Sequence, residues 1–278
     1  MWAELHCHST HSTGNRIMLE GLNTPQHMVR HAKRIGLDII AITDHDTVRG
    51  GVEAEKYTKQ YGIIVIPGEE VTTVDGHVLA LGIRETVPKL LSVEETLERI
   101  REQGGIGVAS HPFDVKNEGV GKLALKCDAM EAFNALNVER ISNWKAAMFA
   151  KRYRVPSIAN SDAHCSMMIG YGRTDIRSDA DIDSILNAIK KGRTTLQTQY
   201  IPTKIIMEWA VERLKVSYAY TLEYMNENYR LPKRVVYKKL LGLVNKSPGK
   251  IDYLFRLITY FSLGNVFIYR AFREILRI

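Results

Sequence analysis

Cysteine is scarce in this 278-residue chain: Cys7, Cys127 and Cys165 are the only three. Their odd number and wide separation exclude a disulfide framework and a paired C-x-x-C zinc ribbon, and favour a reducing, cytoplasmic setting. No segment repeats at a period of about 20–50 residues and none is low in complexity, which excludes solenoids and disordered linkers. The amino terminus runs straight into Trp2-Ala3-Glu4-Leu5-His6 with no signal-peptide pattern, so no export leader is expected. Long apolar runs are also missing. The longest uncharged stretch of the carboxy-terminal part, Leu257–Tyr269, has 13 residues, whereas a spanning helix needs about 20.

The chain lacks an even distribution of charge. From residue 203 to 278 there are 14 Lys+Arg and 6 Asp+Glu, a net +8; the whole chain is +7, so residues 1–202 carry 7 − 8 = −1. Basic character therefore belongs to the tail. It suits either solvated helix faces or an acidic partner, with RNA, DNA and an anionic membrane surface as the functional alternatives.

What the chain does have is an alternation of apolar strands and amphipathic helices through the first ~200 residues, the pattern of an α/β sheet or barrel. Trp2–His6 reads as a first strand. Thr24-Pro25 opens a helix by N-cap and N1 chemistry, and Gly36 closes it. Leu37–Thr43 is a buried strand, followed by a helix to Tyr61 and a strand at Ile63–Ile66. Val71–Ile83 reads as two strands around the hairpin signal Asp75-Gly76. Ser92 and Glu95 form a capping box for a helix to Gln103. Strands follow at Ile106–Ser110, Asp128–Phe133 and Ser157–Asn160, then a helix at Asp179–Lys191 and a strand at Thr194–Gln199. Beyond Pro202 only helices are expected, over 203–228, 233–245 and 249–276, broken at Pro232 and Pro248-Gly249. The division is thus a catalytic unit, 1–202, and a basic helical appendage, 203–278.

Six of the nine histidines sit in short motifs at the ends of those strands. They are His6 and His8 in Glu4-Leu5-His6-Cys7-His8, His45 in Thr43-Asp44-His45-Asp46, His77 after Asp75-Gly76, His111 in Ser110-His111-Pro112, and His164 in Ser161-Asp162-Ala163-His164. Glu70 and Asp162 complete the set. Imidazole is the commonest metal ligand and carboxylates complete or bridge such sites. Eight ligand-type residues exceed what one ion needs, so two or three ions are expected, and hydrolytic chemistry with them. In β/α barrels the carboxy-terminal strand ends share one face, which lets distant motifs meet. His27 and His31, at i,i+4 spacing without a partnering carboxylate, read as surface residues. Cys7, between two ligands, points to the opposite strand face.

The order His-x-His, T-D-H, G-x-E, H-V-L, S-H-P and S-D-A-H resembles the PHP (polymerase and histidinol phosphatase) superfamily of metal-dependent phosphoesterases over about residues 1–200. Gly170-Tyr171-Gly172-Arg173-Thr174 is similar to the PHP-associated segment of that family. The resemblance implies a distorted seven-stranded, TIM-like β/α barrel with two or three divalent ions (Mn, Zn or Fe) at one end. It assigns His6, His8, Glu70 and Asp162 to one ion. Glu70 bridges to a second completed by His77 and His111, and His45 and His164 belong to a third. The family spacing selects Glu70 over Glu69. Two cations about 4 Å apart need an anionic bridge, which a carboxylate supplies.

One departure stands out. Where the family has Asp five residues after the second His of the first motif, this chain has Thr13, a poor ligand. His11 and Glu20 lie in the same long turn, within reach of the third site. Arg173 is the expected phosphate-recognising residue, because guanidinium pairs with phosphate bidentately. Asp44 is expected to orient a ligand or position the attacking water. The implied reaction is hydrolysis, by a metal-activated water, of a phosphomonoester of a small metabolite or nucleotide. A nuclease acting on RNA or DNA and a non-catalytic metal-binding structural module are the alternatives. The apolar residues of the tail suit a homodimer contact, and its charge suits nucleic acid or an anionic surface.

Overall fold

The computed structural model describes residues 1–14 and 17–276; residues 277–278 of the expected appendage lie outside the described residues. Seven strands come first: β1 (Trp2–Glu4), β2 (Ile39–His45), β3 (Ile64–Thr72), β4 (His77–Leu81), β5 (Ile106–Ala109), β6 (Ala129–Asn134) and β7 (Ser157–Asn160). A hairpin of β8 (Gly172–Ile176) and β9 (Thr194–Thr198) follows, and the sheet order is β7-β6-β5-β4-β3-β2-β1-β8-β9. β1, β2 and β3 run parallel, as do β5, β6 and β7, while β4 is antiparallel to both its neighbours. The sheet curls into a nearly closed barrel. Just past β1 and β7 the two edges meet, with His8 N–H donating to the Ala163 carbonyl at 2.8 Å and Cys7 bridging Ala163 in parallel.

Ala3, Leu5, Ile39, Ala41, Ile66, Leu79, Leu81 and Val108 share one buried core with Ile185, Leu186 and Ile189 of α6 (Ile182–Lys190). Asp181 caps that helix, accepting from Ser184 N–H at 2.8 Å, an arrangement worth about 1 kcal/mol. A second core packs Met28 and Val29 of α1 (Pro25–Arg34) against Cys7, Ile40 and Ile42, so Cys7 does face away from its histidine neighbours. Thr24 caps α1 with Pro25 in its first turn, and Ser92 and Glu95 form a reciprocal capping box on α4 (Val93–Glu102). Between α1 and α4 lie two short helices, α2 (Arg49–Glu55) and α3 (Thr58–Tyr61).

Several elements differ from the sequence expectation. β3 is one strand through Thr72, not a strand ending at Ile66. Helix α5 (Ile141–Tyr153) carries no amphipathic signature: its small and polar residues Ser142, Asn143, Ala146 and Ala150 are buried, while Trp144 is 64% exposed. β8 falls on the Gly170–Thr174 motif, where the sequence pattern predicts no strand. It alternates buried Gly172, Thr174 and Ile176 with half-exposed Arg173 and Asp175. Gly172 is required because a Cβ there would lie 2.1 Å from the Asn160 carbonyl oxygen.

The helix expected over 203–228 is two helices, α7 (Thr203–Val216) and α8 (Tyr218–Asn228), broken at buried Ser217. Next come α9 (Lys233–Val244) and α10 (Ile251–Leu276). Met207 and Val211 of α7 are buried, and Ile205, Ile206 and Trp209 pack on the α1 core. α10 instead leaves Tyr253, Leu257 and Phe261 66–74% exposed. No helix among the described residues is long and apolar enough to cross a membrane.

Candidate metal centre

The topology explains why motifs from distant parts of the chain meet. His45 ends β2 and Glu70 lies beside it on β3, paired in register. His77 begins β4, and because β4 is antiparallel its first residue reaches the same barrel end as the last residues of the parallel strands. His111 and Asp162 sit two residues beyond β5 and β7. Their φ values, 26° and 53°, are in the left-handed region that ordinary residues avoid. Such backbone persists where surrounding structure holds it, often at functional sites.

Glu70 is the centre of the cluster, and its two carboxylate oxygens face different histidines. Oε1 lies 3.0 Å from His111 Nε2 and 3.2 Å from His77 Nδ1. Oε2 lies 3.3 Å from His6 Nε2, 3.4 Å from His8 Nε2 and 3.1 Å from His45 Nδ1. Asp162 Oδ1 approaches the same pair of imidazoles, 3.4 Å from His6 Nε2 and 3.2 Å from His8 Nε2, and is 3.6 Å from His164 Nδ1. The rings of His8 and His164 stack at 4.3 Å. Glu69 points the other way on its strand, where its carboxylate accepts from Val87 N–H at 2.5 Å.

The donor set fits divalent metal. His8, His45 and His164; His6, His8 and Glu70; and His45, Glu70 and His77 each bring ligand atoms within 4.8 Å of one another. His6 Nε2 and His8 Nε2 face each other at 3.1 Å. His6 Nδ1 is 2.9 Å from the Glu131 carboxylate, which can only accept, so Nδ1 carries a hydrogen and Nε2 is the ring nitrogen turned to the cluster, able to offer a lone pair once it gives up its proton. His77 Nδ1, though 3.2 Å from Glu70, is buried without a properly aligned hydrogen bond. These imidazole nitrogens converge on Glu70 and Asp162, and each would offer a lone pair to a bound cation on losing its proton.

The electrostatics reflect the same crowding. Burial opposes the charge of Glu70 and Asp162, but the facing histidines, His6 foremost, hold both carboxyls well below the usual range. Burial pulls His6 down, yet Asp162, Glu70 and Glu131 outweigh it and raise it well above an ordinary imidazole. His45 and His111 likewise overcome burial and rise to about 9, chiefly through Glu70. His8 is lowered by burial and by His45, and His164 falls to about 3 by burial and the neighbouring His8. Ligand imidazoles must be deprotonated to bind metal, so loading the centre releases protons.

Sequence reasoning missed the supporting layer. Buried Glu131, at the midpoint of apolar β6, accepts from His111 N–H at 2.8 Å, Asn134 Nδ2 at 3.1 Å and Asn160 Nδ2 at 2.9 Å while holding His6. A carboxylate inside an apolar strand run was the available signal. Carboxylate–histidine pairs of this kind fix ligand orientation and tautomer. Ser110 Oγ donates to Glu70 Oε1 at 2.8 Å.

The two residues expected to act beside the ligands are placed differently. Asp44 is buried on the helix-facing side of β2. It accepts from Ser9 N–H at 2.6 Å and Ser9 Oγ at 2.8 Å, and Gly50 leaves room for its carboxylate, which a Cβ there would meet at 1.8 Å. Its link to the cluster is indirect, through Ser12, whose hydroxyl also contacts His8 Nδ1 at 2.9 Å. Arg173 is not brought to the cluster. It lies on β8 with Nε donating to Gln197 at 2.7 Å and its guanidinium 4.6 Å from the centre of the Trp2 ring. The fork expected to clamp phosphate is engaged on the outer surface because β8 turns Gly172, Thr174 and Ile176 inward and Arg173 and Asp175 outward. In the turn after β1, His11 is committed to Glu53 at 2.9 Å, Thr13 is exposed, and Glu20 Oε2 lies 3.2 Å from His45 Nε2. A hydrogen bond from His45 holds the Glu20 carboxyl down at about 2.

The comparisons with known proteins agree with this geometry. The PHP-associated family pattern matches residues 140–194. An uncharacterized protein of Methanocaldococcus jannaschii is 38% identical over 149 residues, 51% of this chain and 87% of that one. A 5'-3' exoribonuclease of Haemophilus influenzae is 33% identical over 109 residues, 38% of this chain; the chain spans only 37% of that relative's length. Among solved structures, a two-domain protein of Bacteroides vulgatus containing a predicted PHP-like metal-dependent phosphoesterase superposes with a TM-score of 0.61 at 18% identity, covering 77% of this chain and 70% of that one. The chain belongs to the PHP superfamily of metal-dependent phosphoesterases and carries its PHP-associated region.

Proposed function

We propose that this chain hydrolyses a phosphate ester at a centre built around Glu70, and that its substrate is a phosphomonoester of a small metabolite or a nucleotide. The observation that carries the reading is the division of Glu70: one oxygen faces His77 and His111, the other faces His6 and His8. A carboxylate so divided is placed to serve two cations at once, with Asp162 completing the His6/His8 side. Divalent ions of the Mn, Zn or Fe kind, when bound, supply an activated water and the positive charge that offsets the phosphate's own.

The chain's residues do the rest. Glu131 holds His6 in one tautomer, Ser110 steadies the Oε1 side of Glu70, and Asp44 acts as a positioning residue through Ser12 on His8. In the reaction water oxygen bonds to phosphorus, the ester P–O bond breaks, and the leaving alcohol takes up a proton. The buried walls of the barrel keep this exchange in a medium where fixed charges act strongly.

A second reading, a nuclease on RNA or DNA, is favoured by the likeness to the exoribonuclease and by the basic tail. A purely structural module fits the near-complete ligand set poorly. The deciding experiment incubates Mn-loaded protein with phosphorylated metabolites, with nucleotides, and with short single-stranded RNA and DNA, using Glu70→Gln as the blank. The proposal expects inorganic phosphate from small phosphomonoesters. Shortened oligonucleotides with no phosphate release from small molecules would move the assignment to a nuclease.

A further inference from the structure

The third ligand group lacks the acid that the family places at position 13, and the structure offers a replacement from the same turn. We propose that Glu20 takes the position vacated by Thr13, completing a third metal position with His45 and His164, and that helix α7 of the carboxy-terminal appendage holds it there. This rests on the metal-centre reading above but goes beyond it, because it makes a helix outside the barrel a structural part of the centre.

Glu20 Oε2 lies 3.2 Å from His45 Nε2, the ring nitrogen opposite the one facing Glu70. His45 and His164 belong to the same set of converging ligand atoms through His8. The rival residue in the turn, His11, is spent on Glu53. The backbone around Glu20 is tethered from several sides. Trp209 Nε1 of α7 donates to the Glu20 carbonyl at 3.0 Å, and Leu19 N–H donates to Ser217 Oγ, at the end of α7, at 3.3 Å. Leu22 N–H donates to the His164 carbonyl at 2.9 Å, and Glu20 N–H to the Ser12 carbonyl at 3.0 Å. The Trp209 ring also lies 4.9 Å from the His164 ring, so one α7 side chain touches two of the three proposed ligands. Arg213 stacks on Trp209 at 4.2 Å and so braces the indole. Gly21 lets the turn pass, since a Cβ there would sit 2.1 Å from the Ser9 carbonyl oxygen.

The test counts ions on the full-length chain after Mn loading and desalting. Wild type should retain three per chain and Glu20→Gln two, and His11→Ala should retain three. Trp209→Phe keeps an aromatic face but removes the donor to Glu20, and should weaken retention of the third ion roughly five- to tenfold, as expected for one lost hydrogen bond. Three ions on Glu20→Gln, unchanged third-ion retention in Trp209→Phe, or only two ions on wild type would overturn the inference while leaving the Glu70 centre standing. One ion or none on wild type would overturn both.

Discussion

The carboxy-terminal helices are richer in apolar side chains than the barrel, yet they bury fewer of them. In the barrel, alternate strand residues disappear into three cores that leave one polar end where eight ligands converge. Beyond Pro202, α7 buries Met207 and Val211 and reaches the Glu20 turn through Trp209, while α8 and α9 bury Met225, Leu241 and Val244 with Val211 in a small core of their own. α10 leaves large apolar side chains on the surface. The composition break at Pro202 therefore does not coincide with the working edge of the molecule. Charge and secondary-structure content change there, but contact with the centre continues for another helix.

The largest effect belongs to the barrel. Glu70→Gln should lower phosphoester hydrolysis by on the order of 10³-fold, as for other removals of a preorganised charge, while circular dichroism stays native. Glu69→Gln, on the opposite strand face, should retain most activity; equal losses would mean that the two faces of β3 are not distinct. An intermediate effect separates α7 from the distal helices. Ending the chain at residue 248 removes α10, which packs on α7 and α5, and should leave hydrolysis within about twofold, because neither of those helices bears a ligand. A loss as deep as that of Glu70→Gln would return the whole tail to the catalytic unit. The smallest effect is expected at Arg173. Arg173→Lys should leave kcat/KM within about twofold, since its fork is bonded to Gln197 and stacked on Trp2; a tenfold fall would bring it back as a phosphate clamp.

Much of the centre was legible because each ligand lies at or near the end of a strand on one face of the barrel, His77 by opening the antiparallel β4. The motif order carried His6, His8, His45, Glu70, His77, His111, Asp162 and His164 to one place. What escaped has physical causes. α5 buries small polar residues and exposes Trp144, the reverse of the apolar periodicity that marks a helix. Glu131 works as a buried support; its place in the apolar run of β6 marks it out, but its partner His6 lies 125 residues away. Arg173 occupies a motif position whose strand turns it outward. The contact of Trp209 with Glu20 joins residues 189 apart, and no local pattern encodes a pairing so distant. Glu20 itself was one of two possibilities in its turn, and the partner of His11 on α2 separates them.

The central claim is that Glu70 divides its two oxygens between separate ions. The direct test is elemental analysis of Mn-loaded wild type and Glu70→Gln after removal of free metal. The account predicts two or three ions per wild-type chain and loss of at least one in the variant, with the fold intact. A wild-type chain that holds a single ion or none after incubation with Mn or Zn, or a Glu70→Gln chain that keeps the full wild-type complement, would contradict it.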